Sequence, residues 1–123
     1  MIKLWLDDDP ERDPAGDWVI VRKADEAIKI LKSGNVVLAS LDHDLGDIRQ
    51  EPYPFEITGM DVVKWMIKEN VFPSVINIHS FNPRARAMVE DLMRAGANSN
   101  ILMWRWEGGL AKELEEALKE MGE

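Results

Sequence analysis

Five short apolar runs, each breaking off at polar residues, constrain the fold of this chain more than any other feature. They are Ile2 to Leu6, Trp18 to Val21, Asn35 to Leu41, Val75 to Ser80 and Ile101 to Trp106. Runs this short and nearly continuous fit strands covered on both faces. Between them the apolar residues recur at helical spacing. Ala27, Ile28 and Leu31 mark a helix from Asp25 to Ser33, with Gly34 as its left-handed stop. Val63, Met66 and Ile67 mark a second, from about Thr58 to Asn70. Ala85, Met88, Val89 and Leu92 mark a third, capped by Asn82 with Pro83 in its first turn. Leu110, Leu114, Ala117, Leu118 and Met121 mark a last one after Gly108-Gly109. The order β–β–α–β–α–β–α–β–α predicts an α/β fold with an open, mostly parallel five-stranded sheet and helices on both faces. With 123 residues there is room for one core, so residues 1–123 are expected to form a single domain. Asp8 to Asp17 carries two prolines and several carboxylates where a first crossover helix is expected, which predicts a loop there. Asp47 to Ile57 reads as a second loop, interrupted by Pro52 and Pro54.

Composition removes several functions. Lysine and arginine number 15 against 23 acidic residues, a formal charge of −8, which disfavours a protein that wraps duplex DNA. One terminal phosphate needs only a few local donors and stays open. No apolar run approaches the roughly 18 residues of a membrane span, and no signal segment opens the chain. A soluble, cytoplasmic protein is the expectation. The absence of cysteine excludes disulfides, thiolate nucleophiles and thiolate metal sites.

In open parallel sheets, ligands bind beyond the carboxyl ends of the strands. The first strand ends at Asp7-Asp8-Asp9, the third at Asp42-His43-Asp44, and the fourth at His79-Ser80, followed by Asn82 and Arg84. Both histidines of the chain fall on this edge. Single aspartates after strands commonly cap turns, but clustered carboxylates repel unless a cation joins them. Asp7, Asp8 and Asp42 are therefore candidate ligands for one divalent ion, magnesium by the hardness of its oxygen donors. His43 and His79 are candidates for acid and base, with Asp44 orienting one imidazole. Ser80, the helix start at Asn82, and Arg84 are candidates for binding an anion. Trp104 and Trp106 are expected in the core, and the acidic C-terminal helix on a solvated face.

Leu4-Trp5-Leu6-Asp7-Asp8, Ser40-Leu41-Asp42-His43-Asp44-Leu45-Gly46, Thr58-Gly59-Met60-Asp61 and His79-Ser80-Phe81-Asn82-Pro83 together resemble the cyclic-phosphate processing receiver domain family, over nearly the whole chain. The resemblance implies a receiver-like, flavodoxin-like sheet of order 2-1-3-4-5. It implies that Asp7 and Asp8 match the acidic pair that holds magnesium in receivers. Asp42 would match the phospho-acceptor, and Ser80 the hydroxyl residue after the fourth strand. The receiver lysine at the end of the fifth strand has no counterpart; Arg105 is the nearest cation. His43 and His79 depart from ordinary receivers, toward hydrolysis and away from phosphorelay.

The expected function is a metal-assisted, phosphodiesterase-like hydrolysis of cyclic phosphate ends, of RNA or of nucleotides, as in RNA repair. The partner would be a small phosphate-bearing ligand or an RNA terminus. The alternative is a non-enzymatic receiver-like module that binds a metal or phosphate and signals by surface contacts.

Overall fold

The computed structural model describes residues 1–80, 82–103, 116, 119 and 120. Its strands and helices are β1 (Ile2–Leu6), β2 (Val19–Val21), α1 (Ala24–Leu31), β3 (Val36–Leu41), β4 (Asp47–Arg49), β5 (Phe55–Ile57), α2 (Gly59–Glu69), β6 (Val75–Ile78), α3 (Ala85–Arg94) and β7 (Asn100–Met103). Five strands form one parallel sheet in the order β2-β1-β3-β6-β7. Leaving out the small pair β4-β5, this is the expected 2-1-3-4-5 order of an α/β receiver-like fold.

The helices start and stop where local chemistry requires. Thr58 caps α2 by accepting the Met60 N–H, and Asp61 returns the favour to the Thr58 N–H at 2.8 Å. Asn70 ends α2 in the left-handed conformation. At α1, Asp25 sits in the first turn and does not cap; Glu26 accepts the Arg22 and Lys23 N–H groups instead. Asn82 Oδ1 accepts the Arg84 N–H, so the turn before α3 is closed by the residue expected to cap it.

All three described helices bury side chains against the face of the sheet built from Leu4, Leu6, Ala39, Leu41, Ile76 and Ile78. Val62, Val63 and Met66 of α2 are fully buried there, each contributing about 1.5–3 kcal/mol of hydrophobic stabilisation. The other face carries Trp5, Trp18, Leu38 and Val75. Trp104, Arg105, Trp106 and most of the segment from Leu110 to Met121 lie outside the described residues; Glu116, Lys119 and Glu120 of that segment are helical and exposed.

The first crossover is a loop, as its composition predicts, with one 3₁₀ turn at Pro10–Arg12. It is held by charge. Arg22 pairs bidentately with Asp13 at 2.6 and 2.7 Å and also donates to the Asp7 carbonyl. The Asp47–Ile57 segment differs from expectation: it is an antiparallel hairpin that pairs Asp47 with Ile57 and Arg49 with Phe55. Pro52 and Pro54 fall in the connection between its two short strands, where no ladder N–H is needed, so they do not prevent it.

Candidate active site at the carboxyl edge of the sheet

The parallel ladder runs one residue past the strand ends and fixes the polar side chains there. The Asp7 N–H donates to the Val21 carbonyl, the Asp42 N–H to Leu6, and the His79 N–H to Leu41. Asp7, Asp42 and His79 therefore stand side by side at the ends of β1, β3 and β6. All three are buried.

His79 is held at both ring nitrogens. Its Nδ1 lies 2.7 Å from Ser40 Oγ and its Nε2 3.1 Å from Asp7 Oδ2. Its ring stacks on Trp5, with centroids 3.9 Å apart and planes at 11°. Asn77 Nδ2 donates to Ser40 Oγ at 2.9 Å. Asp7 is held in its charged form: burial alone would raise its pKa, but hydrogen bonds from His79 and the Asp9 N–H, with the charge of Arg12, lower it. An ionised Asp7 only accepts, so His79 carries its proton on Nε2 and takes the Ser40 hydroxyl proton at Nδ1. Burial lowers the His79 pKa, against the pull of Asp7, which keeps the ring neutral. The result is a directed chain, Asn77 to Ser40 to His79 to Asp7, within the sheet.

Asp7, Asp8 and Asp42 offer carboxylate oxygens that all lie within 4.8 Å of one another. Asp7 and Asp42 are buried and Asp8 is exposed. Asp42 Oδ1 accepts the His43 N–H at 2.8 Å, whereas its buried Oδ2 has no hydrogen-bond partner among the described residues. Burial, then the charge of Asp7, pushes the Asp42 pKa up to about 7; the Ser80 hydroxyl and Arg12 oppose that rise. Burial and the charge of Asp7 also raise Asp8. Three hard oxygen donors, one of them buried and without a hydrogen-bond partner among the described residues, fit a divalent cation of the magnesium type. Arg12 already reaches into this group: its Nη1 lies 3.6 Å from Asp7 Oδ2 and 3.5 Å from Asp42 Oδ2.

His43 belongs to a separate group. Its Nδ1–H donates to Asp44 Oδ1 at 2.7 Å, and Asn82 Nδ2 donates to the same oxygen at 2.8 Å. Burial would raise Asp44, but the bonds from His43 and Asn82 hold it below the usual carboxylate range. With Nδ1 protonated, Nε2 of a neutral His43 presents a bare lone pair, the form a general base requires.

Two close approaches fix this geometry. A Cβ on Gly59 would lie 1.9 Å from the Asp42 carbonyl oxygen, so only glycine lets α2 begin there; the Gly59 N–H donates to the His43 carbonyl at 2.8 Å. A Cβ on Gly46, which has a positive φ of 61°, would lie 3.1 Å from Asp8 Oδ2.

The sequence-predicted residues thus meet on one edge but their side chains divide into two groups, joined through the His43 N–H to Asp42. The carboxylates Asp7, Asp8 and Asp42 come together as expected. The two imidazoles do not share partners: His43 joins Asp44 and Asn82, while His79 is 0 % exposed beneath Asp7. Ser80 is buried and accepts the Asn82 N–H. The Asn82 and Arg84 N–H groups, expected to receive an anion, are already bonded within the turn, and Asn82 spends its amide on Asp44. The Arg84 side chain is exposed and its charge acts on Asp44. Sequence reasoning missed Ser40, Asn77 and Arg12. The signal for the first two was present, as lone polar residues inside the apolar runs of β3 and β6. Two grooves at the opposite edge of the sheet, lined by Gly34, Val36 and their neighbours, carry no acidic, basic or histidine side chain.

Residues 2–95 match the cyclic-phosphate processing receiver domain. No curated protein and no solved structure matches the chain.

Proposed function

The chain belongs to the cyclic-phosphate processing receiver domain family, a receiver domain linked to cyclic-phosphate processing, and from that membership we propose that it hydrolyses a cyclic phosphodiester at the end of an RNA or on a nucleotide. The observation that carries this reading is the convergence of Asp7, Asp8 and Asp42 within 4.8 Å on the edge that also holds the His43–Asp44 pair. The three carboxylates would hold a divalent cation, which when bound neutralises phosphate charge and so lowers the barrier to attack.

The chain's own residues supply the proton chemistry. His43 Nε2 takes a proton from the attacking water as the new P–O bond forms. It returns that proton to the ribose oxygen as the old P–O bond breaks. Asp44 and Asn82 hold the ring in the tautomer that leaves Nε2 bare. His79 has both nitrogens occupied and acts as a positioning residue, aiming Asp7 through Nε2–H. Arg84 is an exposed cation whose charge acts on Asp44, and it is the candidate to meet the phosphate.

The test is incubation of the purified full chain with 2′,3′-cyclic mononucleotides and with cyclic-phosphate-ended RNA, with and without magnesium chloride. Ring opening that requires magnesium and is lost in Asp8→Asn is the expected result. Magnesium binding with no turnover of either substrate would instead favour the non-enzymatic receiver-like module.

A further inference from the structure

We propose that Arg12 is a tethered competitor of the divalent cation: its guanidinium neutralises Asp7 and Asp42 in the cation-free protein and must leave for the cation to enter. The inference rests on the reading of Asp7, Asp8 and Asp42 as cation ligands. Arg12 Nη1 stands between the two buried carboxylates, 3.6 Å from Asp7 Oδ2 and 3.5 Å from Asp42 Oδ2. These are the oxygens that matter. One already receives His79, and the other is the buried oxygen with no hydrogen-bond partner among the described residues. Both contacts are longer than a well-formed charged hydrogen bond, about 2.7–2.9 Å. The guanidinium thus supplies charge without satisfying either oxygen.

The rest of the side chain is held as loosely. Arg12 Nε lies 3.4 Å from Asp9 Oδ2, and the side chain is 27 % exposed, so a path to solvent is open. Its backbone sits on the single 3₁₀ turn of the first crossover, where a helix would have fixed it more firmly. Exchange of a guanidinium for a potassium ion replaces one positive charge with one and gains nothing. Exchange for magnesium adds a second charge among carboxylates that repel one another. Arg12 therefore makes the site selective for charge, and couples cation binding to release of the crossover turn.

Calorimetric titration of the full chain with magnesium chloride and with manganese chloride, at constant ionic strength, tests this. Arg12→Gln is expected to bind either cation about tenfold or more tightly than the parent. Arg12→Lys keeps the charge and is expected to stay close to the parent, which separates competition from a general effect of altering the turn. In the parent chain, saturating magnesium is also expected to speed solvent exchange of the Arg12 Nε–H, followed by ¹⁵N NMR, a readout that needs no variant. Equal or weaker binding by Arg12→Gln, or an Arg12 Nε–H unchanged by saturating magnesium, overturns the role given to Arg12 and leaves the metal site standing. No cation binding by either chain overturns the metal site and this inference together.

Discussion

His79 Nε2 lies 3.1 Å from Asp7 Oδ2 although β3 runs between the strands that carry them. The bridge is possible because Ser40 is small. Ser40 is the register partner of both Trp5 and Asn77, so its side chain lies between theirs. The His79 ring covers the space that a larger residue would fill, with Trp5 as its stacking surface. A valine at position 40 would remove the hydroxyl donor and crowd the ring.

The two histidines are expected to respond differently to removal. His79→Ala leaves Asp7 and Ser40 short of partners and opens a cavity against Trp5, for a loss of roughly 2–4 kcal/mol in urea denaturation. In the parent, ¹⁵N NMR should find the His79 proton on Nε2. A proton on Nδ1 would reverse the hydrogen-bond direction assigned to the Asn77–Ser40–His79–Asp7 chain.

His43→Ala should lower turnover of a 2′,3′-cyclic nucleotide by about 10²–10⁴-fold; the side chain is buried, so some stability is lost as well, and the rate is read on protein shown by circular dichroism to be folded. Asn82→Ala should act in the same direction but more weakly, since Asp44 still holds the ring. Parent-level turnover by His43→Ala would remove His43 from the chemistry.

Asp42 makes stability depend on pH in an unusual sense. Its folded pKa, raised to about 7 by burial and then by the charge of Asp7, lies above the ordinary value of 3.8. Between those values the folded state binds more protons than the unfolded one. Stability from this group therefore falls as pH rises from about 4 to about 7, and the penalty is complete above that. His79 acts oppositely: burial lowers its pKa below 6.5, so acid below that value favours the unfolded state. Without added metal, Asp42→Asn should be more stable than the parent at pH 8, by an amount on the order of 2–4 kcal/mol, with the gain vanishing near pH 4. Thermal melts across pH 4–8 check this, and a gain independent of pH would show that Asp42 is charged throughout.

Gly59→Ala is expected to cost about 3 kcal/mol or more, because its Cβ would meet backbone at 1.9 Å and not a side chain that can rotate away. Chemical denaturation measures the loss. A near-neutral result would mean that α2 can shift from Asp42 freely.

The parallel sheet and the polar edge were legible because strand ends in a parallel sheet announce themselves as apolar runs stopped by charge. The strand order, which sets Asp7 beside Asp42, came from the family resemblance and not from that pattern. The division of labour between His43 and His79 was not legible, since both are buried at the same edge and differ in the partners of their rings. The partners of His79 depend on Ser40, whose smallness has meaning only once its neighbours across the sheet are known. The turn donors of Asn82 and Arg84 looked free because a capping residue and an anion site share one pattern. Arg12 was beyond reach because a loop of prolines and acids has no periodicity to fix its register. The hairpin at Asp47–Ile57 was hidden by Pro52 and Pro54, which mark its tip and not its strands.

The missing Cβ at Gly59 has a mechanical side. With the Asp42 carbonyl pressed against the start of α2 and the Gly59 N–H bonded to His43, no slack separates the acid from the helix. The acid and the first turn of α2 are therefore set as one unit, and a substitution that displaces either is expected to displace the other.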